Sequence, residues 1–200
     1  AGFYSHYLAD NHWLAGGASN LGGISYREFN NLDSLAKQID LSKKNDVVCY
    51  PLAAVGERFP IKDNKMKAVW SQMPTDRITK YQSILEGIGY AERMGYEVLQ
   101  KGGAKKFSHL ATVGGGSKSM IWNQIRANIL QSEISIRNEA GSDLGAAMIA
   151  VAASQVGNFA NNLAALNLQP AKVVEPNKAL IEHYQKNYEK FGQLILANQR

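Results

Sequence analysis

The residues best placed to do chemistry are Val113-Gly114-Gly115-Gly116-Ser117-Lys118-Ser119-Met120-Ile121-Trp122. Three consecutive glycines allow positive φ and carry no Cβ that would hold a flat ring or a sugar away from the main chain. An apolar run, Leu110 to Val113, precedes them, and Ile121, Trp122, Ile125, Ile129 and Leu130 follow at helical spacing. The stretch therefore reads as strand, tight glycine turn and helix start. Such a start offers free N–H groups and the positive end of the helix dipole to anionic or polar ligand atoms. α/β proteins bind nucleotides at such turns, although a turn that binds nothing has the same signature over these ten residues. Trp122 lies one helical turn beyond the glycines and fits a core anchor and a wall for a flat base equally well.

A second glycine turn comes earlier. Asn11 to Ala15 reads as a short strand running into Gly16-Gly17-Ala18-Ser19-Asn20, after which Leu21, Ile24, Ser25 and Phe29 fall roughly on one helical face. Gly22 and Gly23 weaken that helix by about 1 kcal/mol each. The glycines suit close helix-to-strand packing, and Asn20 suits either that role or an amide pointed at a ligand. His6, His12, His109 and His183 have no metal-ligand spacing, and Cys49 is distant from all of them, so the sequence contains no arguable metal site.

These turns need elements to hold them. Leu32 to Leu41 forms a short amphipathic helix with Asn31 as its cap, and Asp46 to Leu52 forms a strand closed by Pro51. Ala53 to Met73 is turn chemistry, in which Glu57 and Arg58 are expected to form a local ion pair that fixes the loop. The longest helix is capped by Thr75 and carries Ile78, Tyr81, Ile84, Leu85, Ile88, Ala91, Val98 and Leu99 at steps of three and four until Gly102-Gly103 stops it. Gly87 and Gly89 inside it imply a neighbour at close range. Beyond the central turn come a helix from about Lys118 to Leu130, a strand at Ile134 to Ile136, a turn at 138–142, an Ala-rich helix from Asp143 to Ala153 whose small residues allow close packing, and a last helix from Lys178 to Ala197. Strands alternating with helices indicate an α/β domain with a largely buried sheet.

The 200 residues are 45% hydrophobic, enough for one sizeable core and a single domain over 1–200. The net charge of +5 is scattered, with no stripe of basic residues and interleaved aromatics, which argues against nucleic-acid binding. No apolar run is long enough to span a membrane and no signal sequence opens the chain. Cys49, the one cysteine, sits in an apolar run and reads as a buried structural thiol, which fits a cytoplasmic protein. The start at Ala1-Gly2-Phe3, without a methionine and turn-like, suggests a piece of something longer.

With these residues in view, the chain resembles the C-terminal domain of the FGGY family of carbohydrate kinases. Gly114 to Ile125, followed by Asp143-Leu144-Gly145-Ala146-Ala147, is similar to the adenosine motif GGGxKSxxWxQ of the xylulokinase branch. Gly56-Glu57-Arg58-Phe59-Pro60 is similar to the family's GERTP segment and Leu85-Glu86-Gly87-Ile88 to its LEG(I/V) helix. Trp13 to Asn20 with Gly22-Gly23 is similar to the WLxGGASNxGG stretch of pentulose kinases. Four motifs in the family's order make the match specific.

The resemblance implies a ribonuclease-H-like, actin-like ATPase domain, a mixed sheet with helices on both faces, the second of two such domains with nucleotide in the cleft between them. It implies that Gly114, Gly115 and Gly116 lie along the adenosine, that Ser119 faces the base, that Trp122 flanks it, and that Gly16 and Asn20 approach the nucleotide from the other turn. Many relatives have asparagine in place of Ser119. It implies ATP with Mg2+ as cofactors, and a pentulose such as D-ribulose or D-xylulose as the sugar partner. The family's DxGT-type phosphate loop, its GT(S/T) hairpin and its catalytic aspartate are not in these 200 residues. Asp63 and Glu86 come nearest to a base, and both read better as a loop cap and as a helix surface or packing residue. The complete protein is thus expected to be a sugar kinase, and this chain alone to bind nucleotide without catalysing. The alternative is a noncatalytic nucleotide-sensing domain of the same fold. A dinucleotide-binding module is poorly supported, because no GxGxxG opens a βαβ unit with an acidic residue about 20 positions on. A homodimer is left open.

Overall fold

The computed structural model describes residues 2–9, 11–107, 109–137, 141–166, 170 and 172–198. An antiparallel hairpin opens the chain: β1 (Phe3–Ala9) pairs with β2 (His12–Gly17), with Tyr4 opposite Gly16 and Phe3 opposite Gly17. The start of the chain is thus a strand and not the turn-like stretch expected; its aromatic residues suit an extended backbone, and β2 supplies the partner. After the second glycine turn, the expected helix over Leu21 to Phe29 shrinks to one 3-10 turn at Gly23–Tyr26, in keeping with its two glycines. Helix α1 (Leu32–Gln38) follows, with Asn31 at its N-cap position. Asn31 has a left-handed backbone and makes no side-chain cap bond; its carbonyl instead accepts from Ser34 N and Leu35 N.

The strand expected over Asp46 to Leu52 is ordered as β3 (Cys49–Tyr50), which pairs with β4 (Val69–Trp70) at the far end of the long loop. Helix α2 (Arg77–Lys101) is the backbone of the fold. Its cap is Asp76, one residue past the expected Thr75, and the Asp76 carboxylate accepts from Thr79 N at 2.8 Å. Its glycines are points of contact. A Cβ on Gly87 would strike Cys49 O, one on Gly89 would lie 2.7 Å from Ile129 Cδ1, and one on Gly95 would lie 2.6 Å from the Phe59 ring.

Strand β5 (His109–Thr112) leads through the glycine turn to α3 (Met120–Leu130) and then to β6 (Glu133–Ile136), a parallel neighbour of β5 with Leu110 opposite Ile134. The chain continues through α4 (Ser142–Ser154), α5 (Phe159–Ala165), β7 (Lys172–Val174), which joins β6 antiparallel and makes the sheet mixed, and α6 (Ile181–Asn198). The turn expected at 138–142 falls mostly outside the described residues. The small residues of α4 are less closely packed than expected: Ala152 is its buried residue, while Ile149 and Val151 stay exposed. Helices α2, α3 and α6 meet around Tyr50, Ile84, Tyr90, Ile125, Ile129 and Phe191, and a smaller core of Leu110, Ala127, Ile134 and Val174 lies against the mixed sheet. Among the described residues no helix is long and apolar enough to cross a membrane.

Candidate functional site

The glycine turn is built by its own polar groups. Gly114 has φ +83°, the left-handed region that glycine enters without a Cβ penalty. Gly115–Lys118 winds the expected glycine turn as one 3-10 turn, and the α-helix expected from about Lys118 starts at Met120. Ser117 closes it by donating to Gly114 O from its N–H (3.2 Å) and its hydroxyl (2.7 Å), and the buried Asn123 reaches back from α3 to donate to Ser117 O at 2.7 Å. Ser119 caps α3, its hydroxyl accepting from Trp122 N at 3.4 Å. No heavy atom comes within 4 Å of where a Cβ would stand on Gly114 or Gly115. The backbone there faces open space, whereas a Cβ on Gly116 would lie 3.3 Å from Trp122 Nε1.

Trp122 is half-buried, with one part packed on the main core and its indole nitrogen beside Gly116. The guanidinium carbon of Arg126 stands 5.7 Å from its ring centroid, within cation–π range. Arg126 forks onto Glu92 of α2, Nε to Oε2 at 2.8 Å and Nη2 to Oε1 at 2.6 Å, and its Nη1 donates to Thr112 Oγ1 at 2.7 Å. Burial pulls the Arg126 pKa down, and the Glu92 hydrogen bonds and charge more than offset it.

The second turn is organised by Glu57. This carboxylate is 3% exposed and accepts from Ser19 Oγ (2.9 Å), Asn20 N (2.7 Å), Tyr50 OH (2.8 Å) and Arg58 N (2.8 Å). The expected Glu57–Arg58 ion pair is not formed. Glu57 holds the loop through backbone and hydroxyl donors, while Arg58 Nε donates to Asn20 Oδ1 at 2.8 Å. Asn20 Nδ2 donates to Gly56 O at 2.9 Å, so its amide is turned toward its own chain on both sides. Gly16 allows Tyr4 across the hairpin to come close, a Cβ there lying 2.9 Å from Tyr4 Cε2. Gly16 and Ser19 line a cavity of about 420 Å³ with Phe59, Ile88, Glu92 and Tyr96. The cavity touched by the second turn thus shares Glu92 with the Arg126 network that borders the first.

The two carboxylates nearest a base role are both occupied. Asp63 Oδ1 accepts from Lys65 N at 2.8 Å, a loop cap. Glu86 is 1% exposed and accepts from Gln82 Nε2 (2.8 Å) and Asn45 Nδ2 (2.9 Å), so it is a packing residue and not a surface one. Burial raises its pKa from 4.5 to about 8, against hydrogen bonds from Gln82, Asn45 and Tyr184 that lower it. Among the described residues no three His, Cys, Asp or Glu side chains gather as a metal site.

Residues 3–154 match the FGGY family of carbohydrate kinases, C-terminal domain. The chain belongs to this family. It is 31% identical over 131 residues to the xylulose kinase of Lactococcus lactis subsp. lactis, a match covering 64% of this chain and 25% of that protein. It is 27% identical over 159 residues to the xylulose kinase of Staphylococcus xylosus, covering 78% and 33%. Its fold superimposes on the crystal structure of a xyloylose kinase from Brucella ovis with a TM-score of 0.75 at 28% identity, covering 87% of this chain and 36% of that one. It superimposes on a ligand-bound xylulose kinase from Lactobacillus acidophilus with a TM-score of 0.76 at 23% identity, covering 98% and 42%. The fold is the ribonuclease-H-like, actin-like ATPase fold of FGGY kinases. The chain spans about a quarter to a third of the length of these curated relatives.

Sequence reasoning assigned Glu57 to fixing its loop, though with Arg58 as its partner, and missed Glu92, Thr112 and Arg126, which meet beside the glycine turn. Arg126 carried a legible signal, lying four residues after Trp122 and therefore on the same helical face. Glu92 carried none, because its partner is 34 residues away.

Proposed function

We propose that this chain is the nucleotide-binding half of an ATP-dependent sugar kinase acting on a pentulose, D-xylulose or D-ribulose. The observation that carries the reading is the open backbone at Gly114 and Gly115, set between the end of β5 and the capped start of α3 with Trp122 at its side. In this reading the adenosine lies along Gly114, Gly115 and Gly116, with Trp122 as its wall and Ser119 at its polar edge. Gly16, near the end of β2, and Asn20, in the turn that follows it, approach from the other side. A flat base on an aromatic wall, oriented by a few polar groups, is how such pockets gain affinity and specificity.

Phosphoryl transfer rests on positioning and on stabilising charge at the transferring group. In the complete protein a first domain supplies the phosphate loop, the sugar pocket and the base. This chain alone holds nucleotide without transferring phosphate, in keeping with the engaged states of Asp63 and Glu86. Mg2+ would be held by the nucleotide phosphates and the first domain, where it would offset charge on the transferring phosphoryl group; among the described residues of this chain no ligand set for it gathers.

The test is a titration of ATP, ADP and NAD into the 200-residue protein, following tryptophan fluorescence with a Trp122→Phe control. A response to ATP or ADP that disappears in the control, with NAD silent, is the expected result. An equal response to NAD, or no response to any nucleotide from either the chain or the complete kinase, would overturn the reading.

A further inference from the structure

We propose that Arg126 is a positioning residue of the nucleotide site, one that holds Trp122 and the end of β5 in the arrangement that leaves Gly114 and Gly115 open. The proposal rests on the nucleotide-binding reading above. Arg126 is 8% exposed, and its guanidinium meets three separate elements. Its fork onto Glu92 anchors it to α2, its Nη1 bond to Thr112 Oγ1 anchors the last residue of β5, and its guanidinium carbon stands over the indole of Trp122, 5.7 Å from the ring centroid. Thr112 is two residues before Gly114, and Trp122 packs against Gly116. The same side chain therefore fixes the turn at its entry and at its exit.

Neither contact could set this geometry alone. A cation–π contact is broad in angle, and a single hydrogen bond leaves a long side chain free to swing. The bidentate fork removes much of that freedom: with Nε and Nη2 both committed to Glu92, Nη1 is the nitrogen left to donate, and it lies on Thr112 Oγ1. Glu92 also lines the cavity beneath Gly16 and Ser19, so the ion pair connects the surroundings of the two glycine turns. Lysine cannot replace Arg126, since a point charge satisfies one carboxylate oxygen and leaves Thr112 or the other oxygen without a donor.

The test compares the unaltered protein with Arg126→Lys, Glu92→Gln and Thr112→Val, the last keeping shape and charge while removing one acceptor. Three quantities are measured well below the melting temperature: ADP affinity, melting temperature, and acrylamide quenching of Trp122, with the Trp122→Phe protein used to subtract Trp13 and Trp70. The expected result is an ADP affinity weaker by about tenfold in Arg126→Lys and less in Thr112→Val, with Trp122 more accessible to quencher in step. Variants that melt earlier but keep both ADP affinity and Trp122 quenching would overturn the proposal, leaving Arg126 as an ordinary buried ion pair. Absence of ADP binding in both the unaltered chain and the complete kinase would overturn it together with the functional reading, and is told apart because no substitution is involved.

Discussion

Glu86 should give this domain a stability that falls as pH rises, an effect that Glu86→Gln should remove. The carboxyl is 1% exposed between α2, Asn45 and Tyr184, and burial outweighs its hydrogen bonds to raise its pKa from 4.5 to about 8. Below about pH 4.5 it is protonated in both folded and unfolded chains and contributes no pH dependence. Between there and about pH 8 the unfolded chain releases the proton while the folded one keeps it. The folded state then binds more protons, and stability falls with pH. Each pH unit costs about 1.4 kcal/mol, so from pH 5 to pH 8 the loss is of order 4 kcal/mol, a large part of a domain's usual 5–15. Glutamine cannot ionise; its carbonyl can keep the bond from Asn45 Nδ2, and its NH2 can donate to Gln82 once the Gln82 amide flips to present its oxygen. Urea denaturation of both proteins at pH 5, 6, 7 and 8 isolates the effect, because all other titrating groups cancel in the difference. The variant should gain on the unaltered protein by roughly 1 kcal/mol per pH unit across this range. A stability difference that is the same at pH 5 and pH 8 would refute the reasoning and mean that Glu86 is ionised in the fold.

Other outcomes follow from the same contacts. Gly115→Ala should change stability by less than about 0.5 kcal/mol, since its Cβ would meet nothing within 4 Å, yet weaken nucleotide binding in the fluorescence titration. Glu57→Gln should lower urea stability by about 1–2 kcal/mol, because the amide oxygen can keep Asn20 N and Arg58 N only if its NH2 turns the Ser19 and Tyr50 hydroxyls into acceptors, and all four bonds lose their charge assistance. Cys49 is fully buried with its pKa raised by burial, so a thiol reagent such as DTNB should leave the folded protein unmodified and react fully in denaturant.

Much of the site was legible because its glycines and its flanking strand and helix are contiguous. The β5–turn–α3 unit, the period of α2 and the need for close neighbours at Gly87 and Gly89 could all be read from local pattern. The short strands were not. Phe3–Ala9 is extended against its partner β2, and Asp46 to Leu52 orders only where β4 supplies a partner. Strand structure depends on pairing in a way that helix structure, bonded within itself, does not.

The sequence by itself determined the glycine turns, the amphipathic helices and the family motifs, because backbone freedom and apolar period are local properties of residue type. Only the tertiary structure decided what the charged residues do. Glu57 became an acceptor for hydroxyl and backbone donors and not an ion-pair partner of the Arg58 guanidinium, Glu92 met Arg126 across 34 residues, and burial raised the pKa of Glu86. A carboxylate's role is set by the dielectric and the donors around it, and in a folded chain those come from residues far away in sequence.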